Sequence, residues 1–102
     1  MTVFFVSRHQ GAIEWMKKQP VMVDCWTDDL NIDTVSAGDT VIGTVPIHLA
    51  AWICAKGAVF LALQLELPVD LRGTELTDNQ LKKLNCKLCR YEVKRLPFES
   101  LS

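Results

Sequence analysis

Hydrophobic and polar positions along the chain follow two alternating patterns. Short runs rich in β-branched and aromatic residues are typical of strands, and they alternate with segments whose apolar residues recur at helical spacing. These runs predict five strands, over residues 2–7, 21–25, 40–43, 58–67 and 89–96. The run over residues 58–67 is the longest and is apolar on both faces, so we expect that strand to be central in the sheet.

Local signals mark where the helices begin and end. Ser7 and Gln10, and again Thr77 and Gln80, have the spacing of a capping box, in which two side chains bond each other's backbone amides. Pro46 suits the first turn of a helix, and the Lys-Gly pair after that segment supplies a left-handed stop. Three helices are therefore predicted, over residues 7–19, 46–56 and 77–87, with a helical turn within residues 28–37 and a loop over residues 68–75.

The alternation of strands and helices predicts a small three-layer α/β domain with a mainly parallel sheet, which spans residues 1–102. A length of 102 residues, with 49% hydrophobic and 23% charged, fits one soluble globular domain. In sheets of this type, ligands bind at the carboxyl ends of the strands, near the point where the strand order reverses. The candidate chemistry should therefore lie where strands lead into helices.

Several classes of protein are excluded by composition. A net charge of −1 argues against a protein that coats long nucleic acid through bulk charge. The apolar run over residues 46–55 is too short to cross a membrane, and the N-terminus lacks the leading positive charge and cleavage site of a signal peptide. The four cysteines are irregularly spaced and are expected to be reduced thiols, so the sequence predicts a cytoplasmic protein.

Two strand-to-helix junctions, at residues 7–11 and 43–48, could bind a phosphate. Each places unpaired amides and the positive end of a helix dipole at the carboxyl edge of the sheet. Gly11 and Gly43 would let a ligand approach the backbone closely, and Arg8 adds a planar, permanently charged fork. The alternative is that the first junction is only a helix cap and the arginine only a surface residue.

Other residues are candidates for the same edge or for an interface. A histidine near a helix start, such as His9 or His48, could serve as a neutral hydrogen-bond donor or base, or it could be a bystander. His48, Trp52 and Lys56 recur every four residues on an otherwise apolar helix, which favours a subunit interface. Arg72, in the predicted loop, is a third possible contribution to the ligand edge, although it could equally be a surface residue.

Cofactor and metal motifs are weak. Cys86 and Cys89 form a Cys-x-x-Cys pair without a second pair to complete a zinc site, so we expect structural thiols. Residues 29–33 copy the start of a calcium loop but lack its glycine and its bidentate glutamate. Neither a Gly-x-Gly-x-x-Gly motif nor a Walker A motif occurs. We therefore expect no cofactor and no metal.

Several of these segments together resemble one family. They are FVSRH, GAIEW, GDTVIGTVP, LAA and RGTELT, at residues 5–9, 11–15, 38–46, 49–51 and 72–77. This combination resembles the small type III CRISPR-associated accessory proteins that are grouped as ring nucleases, over about residues 2–93. Gln10 departs from the pattern, since many relatives have proline there. The resemblance implies a CARF-like Rossmann fold, a homodimer, and cleavage of cyclic oligoadenylate, above all cyclic tetra-adenylate, to switch off antiviral signalling.

The resemblance implies that Ser7, Arg8, His9, Thr44 and Pro46 lie in the ligand pocket, with Arg72 as a candidate, and the two junctions add Gly11, Gly43 and Val45. The catalytic candidates are Ser7, Arg8 and His9, and the substrate-binding candidates are Gly11, Gly43, Thr44, Val45, Pro46 and Arg72. The 2′-hydroxyl of the substrate can itself attack the neighbouring phosphorus, so the protein needs mainly to hold it in line and stabilise the charge. We expect metal-independent cleavage to short linear oligoadenylates that end in 2′,3′-cyclic phosphates.

Two other functions are compatible with the same sequence. A sensor or sponge could hold the cyclic ligand without cutting it. An interaction subunit could use the surface around His48 and Trp52 and bind no nucleotide. Binding and cleavage of the cyclic ligand distinguish the three functions.

Overall fold

The computed structural model describes residues 1–64, 77–83 and 85–98. The elements, in chain order, are β1 (Val3–Val6), α1 (Gln10–Lys17), β2 (Cys25–Thr27), a 3₁₀ turn (Ile32–Thr34), β3 (Thr40–Gly43), α2 (Ile47–Ala55), β4 (Val59–Gln64), α3 (Asp78–Lys83) and β5 (Lys87–Tyr91). The end of the predicted fourth strand, the predicted loop over residues 68–75 and Arg72 lie outside the described residues.

The strands form one five-stranded sheet in the order β2-β1-β3-β4-β5. The pairs β1–β2, β1–β3 and β3–β4 are parallel, and β5 is antiparallel to β4. The prediction of an α/β fold with a mainly parallel sheet is therefore confirmed. The strand that follows β1 is added on one edge of the β1–β3 pair, and the strand that follows β3 is added on the other edge. The strand order thus reverses between β1 and β3, which is where ligands bind in open parallel sheets.

Helices pack on both faces of this sheet because successive strand residues point to opposite sides. Alternate strand residues form two separate buried clusters. The cluster that includes residues of α2 contains Phe4, Val6, Val35, Val41, Ala50, Ile53, Ala58 and Phe60. The cluster that includes residues of α1 and α3 contains Phe5, Ala12, Trp15, Met16, Ile42 and Leu81. Each face of the sheet therefore has its own core.

Two strands lie elsewhere than the hydrophobic pattern predicts. The second strand was expected over residues 21–25 but is Cys25–Thr27, because pairing with β1 begins only after Asp24, whose amide donates to the Val3 carbonyl. The fifth strand was expected over residues 89–96 but is Lys87–Tyr91. Its end is set by its partner, since Tyr91 lies opposite Phe60 and β4 begins just before that residue. Both errors arise because an edge strand follows its neighbour and not its own hydrophobicity.

The ends of α2 and α3 follow their local signals. At the end of α2, the amides of Gly57 and Ala58 donate to the carbonyls of Cys54 and Ile53, over 3.0 and 3.2 Å, with Gly57 at a φ of 83°. This is a Schellman motif, and it confirms the predicted left-handed stop. At the start of α3, Thr77 Oγ1 accepts from the amide of Gln80.

The capping box of α3 is completed by the reverse bond, in which the Thr77 amide donates to Gln80 Oε1 over 2.9 Å. The helix is nevertheless shorter than the predicted span to residue 87. Asn85 has a φ of 57°, and the Cys86 amide donates back to the Leu81 carbonyl over 3.1 Å. Asparagine tolerates this left-handed conformation, so it ends the helix as glycine would.

A buried carboxylate, which the sequence analysis did not single out, ties the chain together at the opposite edge. Asp39 is only 6% exposed, and its two oxygens accept from the amides of Thr2 and Ser36 over 2.8 and 2.9 Å. These hydrogen bonds, that from Thr2 first, hold the pKa of Asp39 below its usual value. The residue therefore fixes the start of β1 against the turn before β3.

Candidate functional site

The two predicted junctions lie side by side at one edge of the sheet. β1 and β3 pair in parallel, with Val6 opposite Gly43 at their carboxyl ends. The residues that follow, 7–9 from one strand and 44–46 from the other, therefore leave the sheet as neighbours at the point where the strand order reverses. A cavity of 240 Å³ opens beside the second junction, on the side of α2, and Thr44, Val45 and Ile47 contribute to its lining.

The first junction folds through hydrogen bonds that differ from those the spacing predicts. The capping box of Ser7 and Gln10 is wrong: the helix begins at Gln10, and its cap is His9, whose Nδ1 accepts from the amide of Ala12 over 3.3 Å. Ser7 instead accepts the His9 amide on its hydroxyl oxygen, over 3.0 Å. An accepting Nδ1 carries no proton, so the neutral ring holds its proton on Nε2. His9 is thereby arranged to donate a hydrogen bond and not to remove a proton.

Arg8 lies between these two residues and is exposed. Its Nε donates to the backbone carbonyl of Asp28 over 3.4 Å, which directs the side chain along the edge towards the end of β2. This long bond engages only one nitrogen of the guanidinium. The planar fork can therefore still bind a phosphate by two parallel hydrogen bonds.

At the second junction, Gly43 has a structural role that the sequence analysis did not assign. Its φ is +140°, and a Cβ added there would overlap the carbonyl oxygen of Val6. Glycine is thus required by the close approach of β1 and β3, whether or not a ligand also approaches. Thr44 and Pro46 are exposed, and Val45 is half-buried and packs against the core on the α2 face.

The start of α2 has no capping side chain. Pro46 was expected in the first turn but is the N-cap, and its carbonyl accepts from the amides of Leu49 and Ala50, both over 3.0 Å. The amides of Ile47 and His48 precede these and point out of the helix end. Such a terminus favours an anion, since first-turn amides and the helix dipole both attract negative charge.

The remaining candidates are not all at this edge. Gly11 is buried in the first turn of α1, so it is not an open backbone position. His48 lies on α2 and lines a large groove of 930 Å³ together with Trp52. The ammonium group of Lys56 points away from this groove, because its Nζ donates to the carbonyls of Ile32 and Val35 over 2.7 and 3.1 Å.

The Cys-x-x-Cys pair is not arranged as a redox or metal site. Cys86 and Leu88 pack against the core on the α1 face, whereas Cys89, the next residue in β5, points to the other face. Both cysteines are free thiols. Burial raises the pKa of the Cys86 thiol to about 11, so the thiol stays protonated at neutral pH. Within residues 1–64, 77–83 and 85–98, no three His, Cys, Asp or Glu side chains are grouped to hold a metal ion.

The end of β2 adds residues that the sequence analysis missed. Because β2 ends at Thr27, the residues Thr27 and Asp28 lie at the same carboxyl edge as Ser7, and the Ser7 amide donates to the Thr27 carbonyl over 3.0 Å. A cavity of 340 Å³ opens here. The strand predicted over residues 21–25 ends before Thr27 and Asp28, so the sequence analysis did not place these residues at the carboxyl edge.

Comparison with known proteins identifies a family but no individual relative. No curated protein and no solved structure matches the chain. In the part of the chain that the structure describes, no helix has the length and apolarity needed to cross a membrane. The profile of the family described as "Putative CRISPR-associated protein (Cas_VVA1548)" matches residues 4–94, which include both junctions. The chain therefore belongs to the CRISPR-associated family Cas_VVA1548.

Proposed function

We propose that this protein is a ring nuclease that cleaves cyclic oligoadenylate, with cyclic tetra-adenylate as its main substrate, and that its fold is of the CARF-like Rossmann type. One observation carries the proposal. The pairing of Val6 with Gly43 brings two strand-to-helix junctions together where the strand order reverses, and one of the helices has no capping side chain. A phosphodiester is the ligand that suits this combination, because amides, a helix dipole and an arginine all attract its charge.

Membership of a CRISPR-associated family supports the cyclic substrate. Type III CRISPR systems signal through cyclic oligoadenylates, as the resemblance to ring nucleases implies. By cleaving the cyclic oligoadenylate, this protein would remove the signal and switch off the antiviral response.

The proposed chemistry is an in-line transesterification. The 2′-oxygen of one ribose attacks the adjacent phosphorus, the P–O5′ bond breaks, and the leaving 5′-oxygen gains a proton while the attacking hydroxyl loses one. The products are linear oligoadenylates with a 2′,3′-cyclic phosphate at one end and a 5′-hydroxyl at the other. The protein contributes by orienting the hydroxyl and by stabilising the charge that grows on the phosphoryl oxygens.

The first junction supplies the groups for this task. Arg8 can clamp the two non-bridging phosphoryl oxygens, and the Nε2–H of His9 can donate a hydrogen bond to the leaving 5′-oxygen. Ser7 holds the His9 amide and so fixes the loop that carries both side chains. The uncapped start of α2 adds the amides of Ile47 and His48 on the other side of the phosphate.

A homodimer is part of the proposal. The groove beside α2 is apolar, and Ile47 and Trp52 on this surface are 77% and 55% exposed. The opposite wall of the groove carries Glu92 beside Lys94 and Arg95, so a second copy related by a two-fold axis would meet complementary charges. Ile47 lines both this groove and the cavity at the second junction, so the interface and the phosphate site are continuous. A ring of four adenylates has the same two-fold symmetry and could contact both copies.

The test is incubation of the purified protein with cyclic tetra-adenylate in EDTA, with the products separated by chromatography. The expected result is conversion to linear products that carry 2′,3′-cyclic phosphates. A ring that is bound and recovered intact would identify a sensor or sponge. A ring that is not bound would favour an interaction subunit, and activity lost in EDTA but restored by magnesium or manganese would contradict the metal-independent mechanism.

A further inference from the structure

An aromatic side chain lies exposed beside the proposed phosphate site. Trp26 is in the edge strand β2 and is 41% exposed, although it is one of the largest apolar residues of the chain. Its ring packs on that of Phe5, with centroids 5.4 Å apart and planes inclined by 59°. Lys17 Nζ lies 5.7 Å from the centroid of the Trp26 ring, a cation–π contact. The ring is therefore held in place while much of it remains open to solvent.

Trp26 forms one wall of the cavity at the end of β2. This cavity has a volume of 340 Å³, at the lower end of the range of about 300–1,000 Å³ found for small-molecule pockets. Its apolar walls are Phe5, Ile13 and Trp26, and its polar rim is Ser7, Thr27 and Asp28. A flat aromatic ligand with a polar edge suits such a cavity, because its faces can contact the apolar walls while its edge bonds to the polar rim.

The cavity is continuous with the first junction. Ser7 lines it and also accepts the His9 amide over 3.0 Å, so one residue belongs to both places. Arg8 donates to the carbonyl of Asp28, which lies on the rim of the same cavity. A phosphate held by Arg8 would therefore carry its attached nucleoside towards the Trp26 ring.

We infer that this cavity is a nucleobase site, in which an adenine of the bound oligonucleotide stacks on Trp26 and donates its exocyclic amine to the Asp28 carboxylate. The inference rests on the proposed function for the identity of the base. Stacking on an aromatic side chain is the usual way in which proteins hold an unpaired base, and a carboxylate accepts hydrogen bonds but cannot donate them. The site would thus prefer a base that presents an amino group over one that presents a carbonyl oxygen.

The first experiment measures binding and turnover of cyclic tetra-adenylate by Trp26→Leu and Trp26→Phe. Loss of one stacked base costs about 1–3 kcal/mol, so Trp26→Leu should raise Kd and KM by at least about fivefold with little change in kcat. Trp26→Phe should retain most of the affinity because it keeps an aromatic face. Met22→Ala is the matched control, since Met22 is 84% exposed in the segment just before β2 and does not line the cavity. Thermal melting confirms that each variant is folded.

The second experiment uses adenosine 5′-monophosphate, so that the base site is tested apart from cleavage. Saturable quenching of tryptophan fluorescence is expected in the wild type and in Met22→Ala, and it should be lost in Trp26→Phe. Inosine 5′-monophosphate, which presents a carbonyl oxygen in place of the amine, should bind at least about fivefold more weakly, a difference worth about 1 kcal/mol. Asp28→Ala should abolish that preference.

The outcomes separate this inference from the proposed function. If the wild type neither binds nor cuts cyclic tetra-adenylate but shows quenching by adenosine 5′-monophosphate that depends on Trp26, the base site stands and the proposed function fails. If Trp26→Leu binds the ring as the wild type does and the mononucleotide causes no quenching, the base site is overturned whatever the protein does to the ring.

Discussion

Val6 and Gly43 face each other at the carboxyl ends of β1 and β3, so closely that a Cβ on residue 43 would overlap the Val6 carbonyl oxygen. The two strands diverge immediately after this pair: β1 leads into the loop that carries Arg8, and β3 leads towards α2. The close approach therefore sets the distance between the two halves of the candidate site. A change at this pair should alter both the fold and the site.

Gly43→Ala is expected to be strongly destabilising. The added Cβ meets backbone and not a flexible side chain, and the positive φ adds a cost of about 1–3 kcal/mol. We expect little soluble protein, or a large fall in Tm on thermal melting. Gly38→Ala is the control, because Gly38 also has a positive φ of 87° but its nearest neighbour is the end of the Met1 side chain at 3.3 Å. Equal melting temperatures for the two variants would contradict the role given to the Val6 contact.

Arg8→Ala should reduce the cleavage rate by about 10²–10³, the effect of removing one preorganised donor to a developing charge. Arg8→Lys should recover little activity because an ammonium lacks the planar fork. The Tm should be unchanged, since Arg8 is exposed and makes one long contact to Asp28. Arg90→Ala, which removes an exposed arginine on β5, is the control. Wild-type cleavage by a folded Arg8→Ala protein would exclude Arg8 and leave the second junction as the site.

His9 can be tested for its two roles separately. Asparagine is a good N-cap, so His9→Asn should keep the helix start while it removes the imidazole, and His9→Ala should remove both. We expect His9→Ala to melt below His9→Asn by about 4–8 °C, which corresponds to a capping contribution of about 1 kcal/mol. Both should cleave more slowly, by less than about 10², because a ring that only donates a hydrogen bond contributes less than one that transfers a proton. A larger loss in His9→Asn would indicate proton transfer.

Stability in acid should depend on Asp39. Its pKa is lowered in the folded state, so the unfolded chain binds more protons below about pH 4, and the stabilising effect is lost as the pH falls through the folded-state pKa. Asp39→Asn should lower the Tm at neutral pH, because the amide can accept from only one of the Thr2 and Ser36 amides with its oxygen. It should also flatten the dependence of Tm on pH between about pH 2 and 4.

The control for this prediction is Asp24→Asn. Asp24 is exposed and accepts one amide, that of Val3, over 2.8 Å. It should lose less stability than Asp39→Asn at neutral pH. A Tm profile of Asp39→Asn that is parallel to that of the wild type down to pH 2 would show that Asp39 does not supply the acid dependence.

Trp52→Glu should convert a dimer into a monomer. The substitution places a charge on the apolar groove beside α2, where Trp52 is 55% exposed. Light scattering at micromolar concentration is the measurement, with Met22→Glu as the control on an exposed apolar residue away from the groove. A wild-type protein that is monomeric in the same measurement would remove the dimer from the proposal.

Much of the architecture follows from local sequence because local signals fix it. The run over residues 40–43 predicts β3 with its observed bounds, and the Schellman motif at Gly57 and the capping box of Thr77 with Gln80 form where the spacing places them. Each of these features depends on residues within one turn of each other. Distant partners have little influence on them, so sequence reasoning is sufficient.

The edge strands and the first helix cap could be decided only by the tertiary structure. β5 stops at Tyr91, which pairs with Phe60 next to the start of β4 at Val59, and β2 begins at Cys25, where pairing with β1 starts opposite Phe4. Ser7 loses the capping position to His9 although its spacing is suitable. In each case the deciding contact comes from outside the signal itself, from another strand or from the path that the chain takes out of the sheet.

The candidate site shows the same division. The sequence by itself placed Arg8, His9, Thr44 and Pro46 after strands, which is a local property. That the two junctions are neighbours depends on β1 pairing with β3, and that Trp26 lies beside them depends on the register of β2. Strand order and register are set by which hydrophobic faces bury each other across the whole domain, and a linear pattern does not contain that information.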